Sequence, residues 1–168
     1  VDEGLRWASH AELVADSVGT LSELQHATRL NNEAAVYNAA RDLERGRALN
    51  EEVLEVRERV LGPEHPQVGL TLVNLASSYA RAGKTDKAVE YSKRAIQITE
   101  TALGEEHPDV GKGLLNLAST YFLMGDYAAA QPVFERALRI TEGAEGPDHP
   151  QVAMALNNLA AAYQAENK

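Results

Sequence analysis

The feature that most constrains this chain is that it repeats itself. Residues 61–102 laid on residues 103–144 match at 21 of 42 positions without a gap. The shared skeleton is LG-x-EHP-x-VG, then L-x-NLAS-x-Y, then a Gly, an Ala, RA and ITE. A third copy starts at Glu145 and reads EGPDHPQVAMALNNLAAAY. Counting 42 residues back from Leu72 reaches Leu30, where LNNEAAVY parallels LNNLAAAY at 156–163. RDLERGRALNEEVLEVRERVLG then carries that earlier unit to Gly62. Residues 3–18 fit the second half of a still earlier unit, with Gly4 on Gly46 and Val14 on Val56. A period of this length marks a stacked array, because one such unit cannot bury its own apolar face and neighbours must cover it.

Each unit holds two helical patterns. Val68, Leu72, Leu75, Ala76 and Tyr79 recur at spacings of three and four, which predicts a helix from about Pro66 to Ala82, ended by Gly83. Ala88, Tyr91, Ala95, Ile98 and Ala102 predict a second from about Asp86 to Leu103, closed by Gly104. The next unit repeats this with Val110, Leu114, Leu117, Ala118 and Tyr121, then Ala130, Phe134, Ala137 and Ile140. Small residues at 46, 88 and 130 let the paired backbones approach closely. Pro132 removes one hydrogen bond near the start of a second helix, so a slight bend is expected there and no break. Glu33 stands where Leu75, Leu117 and Leu159 stand. A carboxylate is costly in an apolar layer, so that position is either loosely packed or wet. Nothing alternates with period two, and the expected fold class is all-α.

The totals narrow the function classes. Net charge is −9, which repels phosphate backbones, so nucleic acid is not an expected partner. The absence of cysteine removes disulfides, thiol chemistry and Cys-bearing zinc sites. No apolar run approaches the roughly 20 residues needed to span a bilayer, so no membrane association is expected. VDEGLRW has no basic or apolar leader region and no initiator Met, so the chain reads as cut from something longer, or processed, and a cytoplasmic location is expected.

His65, His107 and His149 lie 42 residues apart, each before a Pro and after an acid (Glu64, Glu106, Asp148). Metal ligands must converge within about 2 Å of one ion, whereas equivalent positions in stacked units stand on the order of 20 Å apart. The alternative is structural: Pro fits a first helical turn, where its missing N–H costs nothing, and the acid favours the helix N-terminus. No nucleophile elbow, phosphate loop or HExxH motif occurs. The expectation is no enzyme, no metal and no cofactor.

Leu72, Leu75, Ala76, Tyr79, Gly83, Ala88 and Ala95 together resemble the tetratricopeptide repeat. The unit of 42 residues, the LG-x-x-HP-x-V junction and the LNNLA-x-x-Y helix resemble its kinesin light chain type, which is also widespread in bacterial signalling proteins. The resemblance covers Leu30 to Lys168 and implies a right-handed α-solenoid. The boundaries it implies are an N-terminal helix at 1–20, repeats at 21–62, 63–104 and 105–146, and the first helix of a further repeat at 147–168.

Asn32, Asn74, Asn116 and Asn158 recur every 42 residues, each directly before a core position and so on a flank of the first helix. By the resemblance, first helices line a concave groove, and such side chains clasp an extended peptide. An amide supplies both a donor and an acceptor to match a peptide group. The other role open to them is bonding between neighbouring helices. Asn31, Asn157, Val73, Leu115, Arg81, Lys112, Phe122 and Met154 are further groove candidates, with Thr28, Leu70, Ser77, Ser119 and Leu123 beside them. Arg81 and Lys112 are the only basic groups among these, too few for the chaperone-binding groove that grips a terminal carboxylate. The implied function is a scaffold for a partly apolar peptide or protein segment. A regulatory module of a larger signalling protein and self-association through uncapped repeat ends are the alternatives.

Overall fold

Helices begin and end where the repeat places its breakers. The computed structural model describes residues 2–166, with side chains described from Val18 onward. Among these residues there are seven helices and no strand: α1 (Asp2–Ala39), α2 (Leu43–Leu61), α3 (Pro66–Arg81), α4 (Thr85–Leu103), α5 (Pro108–Leu123), α6 (Tyr127–Glu145) and α7 (Pro150–Glu166). The junction between units works the same way each time. Gly62 takes φ +90° and donates its N–H to Glu58 O, ending α2. Pro66 then opens α3, with His65 as its N-cap: the imidazole Nδ1 accepts the Gln67 N–H at 3.2 Å. His107 and His149 do the same for Asp109 and Gln151. The histidines are therefore helix caps, one per junction. Pro132 sits inside α6, which passes through it unbroken.

The chain divides into two units, residues 1–63 and 64–168. In the first, α1 pairs with α2 around Ala27, Leu30, Val53 and Val56. α1 shows no break near residue 20, where an N-terminal helix and the first repeat were expected to separate. The junction sequence is missing there: residues 19–24 read GTLSEL, with neither the His-Pro pair nor a glycine at Gly62's place. Gly4 and Val14, which carried the earliest repeat match, lie outside the residues whose side chains are described. Glu33 is exposed while Ala34 beside it is buried, so the position is wet and the core stripe runs Ala27, Leu30, Ala34.

In the second unit α3 pairs with α4 and α5 with α6, while α5 stacks on α4 and α7 on α6. The expected stripes are the core: Val68, Leu72, Leu75, Ala76 and Tyr79 on α3, and Ala88, Ala95 and Ile98 on α4. Ala102 departs from this, being exposed at the last turn of α4. A Cβ added at Gly113 would stand 2.9 Å from Ile96 Cγ1, which shows how closely α5 approaches α4. An ion pair from Arg136 to Glu100 at 2.7 Å ties α6 to α4.

Candidate functional site

The stacking of α5 on α4, with α3 on the far side, leaves a cavity of about 550 Å³. One wall is the α3 face of Leu70, Val73, Ser77, Ala80 and Arg81. The floor is α4, through Ser92, Ala95, Ile96, Thr99, Ala102 and Leu103. The opposite wall is α5, through Asp109, Lys112, Gly113, Asn116, Ser119 and Leu123. The lining is mainly apolar because its hydroxyls turn inward. Thr99 Oγ1 donates to Ala95 O at 2.8 Å, Ser119 Oγ to Leu115 O at 2.8 Å and Thr120 Oγ1 to Asn116 O at 3.0 Å. A helical Ser or Thr bonded to its own preceding turn presents its carbon atoms to the neighbouring space. Gly113 matters here too, since a side chain there would fill the gap against Ile96.

Charge is confined to few groups. Lys112 Nζ donates to Asp109 Oδ1 at 2.8 Å. That bond holds the Asp109 carboxyl below the usual carboxylate range, with partial burial opposing it and the Lys112 and His107 charges adding to it. The same bond raises the Lys112 ammonium. Arg81 supplies a second cation on the α3 wall. Such a site can seat apolar side chains and meet an acid or an amide at its edge.

The expected groove residues are divided by the structure. Val73, Arg81, Lys112 and Asn116 line the cavity, with Leu70, Ser77, Ser119 and Leu123. Asn74 is exposed and outside it. Leu115 does not line this cavity: it is 6% exposed and sits in the core cluster with Ala155 and Ala162 of α7. Phe122 packs against that same cluster and against the Tyr127 ring, centroids 5.2 Å apart. Leu115 is covered where α7 packs near α5 and Phe122 where Tyr127 of α6 packs on it, contacts between helices that the period of one helix does not reveal. Asn158 is half-buried on α7, while Asn157 and Met154 are exposed there. Asn31 is half-buried and Asn32 and Thr28 are exposed on α1, in the other unit. The asparagines are thus not one continuous ladder around this cavity. Asp109, Gly113, Ile96, Thr99 and Ala102 were not anticipated as lining. The i, i+3 spacing of Asp109 and Lys112 was the one available signal for the charged edge.

Among the described residues no helix is long and apolar enough to cross a membrane, and no group of three or more His, Asp or Glu converges as a metal site. The tetratricopeptide repeat family model matches residues 25–101, 69–143 and 109–168. No curated protein matches the chain. Among solved structures, BtubC (BKLC) from P. vanneervenii is similar with TM-score 0.79 at 24% identity, over 84% of this chain and 56% of that one. A Podosopora anserina putative kinesin light chain with nearly identical TPR-like repeats gives TM-score 0.76 at 25% identity, over 86% of this chain and 68% of that one. This chain therefore spans little more than half of the first and about two thirds of the second. The TPR2B domain of yeast Sti1, solved as a complex with pHsp70, gives TM-score 0.64 at 15% identity over 82% of this chain and 96% of that one.

Proposed function

The chain belongs to the tetratricopeptide repeat family, and from that premise we propose that it is a non-enzymatic scaffold holding a partly apolar peptide or protein segment between α3, α4 and α5. The observation that carries this is the apolar cavity with the Lys112–Asp109 pair on one wall and Arg81 on the other. Its volume falls within the roughly 300–1,000 Å³ of ligand clefts. Val73, Ile96 and Leu123 take the apolar anchor, Asn116 bonds a peptide group, and Lys112 or Arg81 meets an acidic or amide neighbour. The yeast Sti1 TPR2B complex supports this reading at the level of fold, as a similar array solved with a partner.

The test is selection of peptides from a displayed library, followed by fluorescence anisotropy with the best binder. Val73→Asp places a charge in the wall and weakens binding about tenfold or more, as desolvating an unpaired carboxylate requires. Asn116→Ala removes one hydrogen bond and weakens it about two- to tenfold. Asn74→Ala, outside the cavity, leaves affinity unchanged. Full affinity in the Val73→Asp variant sinks the assignment of this cavity.

A further inference from the structure

The cavity between α3, α4 and α5 is poor in hydrogen-bonding groups. Thr99, Ser119 and Thr120 have their hydroxyl protons committed to carbonyls of their own helices. Of the uncharged polar side chains in the lining, that leaves Ser77, Ser92 and Asn116. The N–H groups at the helix starts are taken as well: Val68 and Gly69 donate to His65 O, and Val110 and Gly111 to His107 O. The rim meanwhile projects apolar side chains into solvent, with Leu70 65% exposed, Leu103 51% and Leu123 71%.

Backbone groups decide what such a lining can hold. The cavity is lined along the whole of α3, from Pro66 to Arg81, about 24 Å at 1.5 Å per residue. An extended segment of that span has about seven residues, and so about 14 backbone N–H and C=O groups. A strand lying there turns part of these toward the walls, where a buried group without a partner is costly. Three side chains cannot meet them. An α-helix bonds its own backbone except at its ends, and offers the walls side chains at i, i+3, i+4 and i+7. Asn116 can still donate to such a helix, since a helical carbonyl keeps a second lone pair.

The charges add a direction. Short turns fold each helix back on the one before, so α3 and α5 run the same way with α4 reversed between them. Arg81, the last residue of α3, therefore stands at the opposite end of the cavity from Lys112, near the start of α5. Arg81 has no ion pair among the described residues. Lys112 commits one of its three donors to Asp109 and keeps two.

We propose that the occupant is an amphipathic helix of a partner protein, about 16 residues long, running antiparallel to α3 and α5. Its apolar face meets Val73, Ile96 and the exposed leucines of the rim. An acid in its first turn pairs with Arg81, and the free carbonyls of its last turn accept from Lys112. Acids also suit the first turn of the helix that carries them. This rests on the scaffold reading and narrows its ligand to one conformation and one direction.

Two displayed libraries test it. One holds helical peptides of about 16 residues on an Ala, Glu and Lys background, with Leu, Ile, Phe and Met varied at i, i+3, i+4 and i+7. The other holds unpatterned peptides of about eight residues. The helical library is expected to give the tighter binder by fluorescence anisotropy, with helical Cα chemical shifts in the bound, carbon-labelled peptide. Proline at a central solvent-facing position of that peptide weakens binding about tenfold or more, while Ala there does not. Arg81→Glu weakens a peptide with Glu in its first turn several-fold, and Lys in place of that Glu restores it. Extended shifts in the bound peptide, or binders from the short library alone, overturn the helix and leave the cavity as the site where Val73→Asp still abolishes binding. Binders from both libraries that ignore Val73→Asp sink the scaffold reading and the helix with it. Recovery by Lys in the last turn, or at neither end, overturns the direction.

Discussion

His107 Nδ1 accepts the backbone N–H of Asp109 at 3.2 Å, and through that bond the imidazole caps α5. Acceptance at Nδ1 places the ring proton on Nε2. At His149 that nitrogen lies 3.2 Å from Glu145 Oε2, where a carboxylate accepts it. Substituting a helix N-cap by Ala typically costs about 1 kcal/mol. His107→Ala is expected to lower stability by that amount in denaturant titration, and His107→Asn, which restores an acceptor, to recover most of it. Equal stability of wild type and His107→Ala would show that the cap contributes nothing.

The same junction shows why so much of the fold was legible. Gly62, His65 and Pro66 each impose a local backbone requirement, so the limits of α3 follow from the residues at its ends. The inward stripes were legible for a similar reason, since Leu72, Leu75 and Tyr79 share one face of one helix. The cavity was less legible because it forms between helices. Val73 and Leu115 hold equivalent repeat positions, yet Val73 lines the cavity and Leu115 is buried against the cluster containing Ala155 and Ala162. What separates them is the neighbour stacked alongside, not the periodicity of the helix that carries them.

Arg41 occupies the repeat position of Gly83 and Gly125, and like them it has positive φ, +63° against +72° and +77°. A left-handed conformation costs a residue with a Cβ roughly 1–2 kcal/mol, and glycine avoids this at some expense in chain entropy. Arg41→Gly is therefore expected to stabilise the α1–α2 pair by about 0.5–1 kcal/mol. Thermal melting of the two chains checks it, and a lower melting temperature for the glycine variant would count against the strain.

The depressed Asp109 carboxyl rests chiefly on the hydrogen bond from Lys112. A group whose folded value lies below its unfolded value of about 3.9 contributes stability above that value and loses it as pH falls through the folded one. Lys112→Ala removes both the bond and the nearby charge. The Asp109 midpoint, followed by carboxyl-carbon NMR, is then expected to rise toward the ordinary carboxylate value. Both residues are largely exposed, so salt screens the long-range part of the effect and leaves the bonded part. An unchanged midpoint would mean that the 2.8 Å contact does not persist in solution.

Leu117 and Leu159 hold equivalent repeat positions, but Leu117 is buried in the α5–α6 core while Leu159 is only partly covered on α7. Removing a buried leucine to Ala costs about 2–5 kcal/mol, the transfer of its carbons plus the cavity left behind. Leu117→Ala is expected to fall in that range. Leu159→Ala already has solvent on one side, so it forms no closed cavity and costs about half as much or less. Urea unfolding of the two variants checks the comparison. Equal losses would mean that α7 is packed as fully as α5.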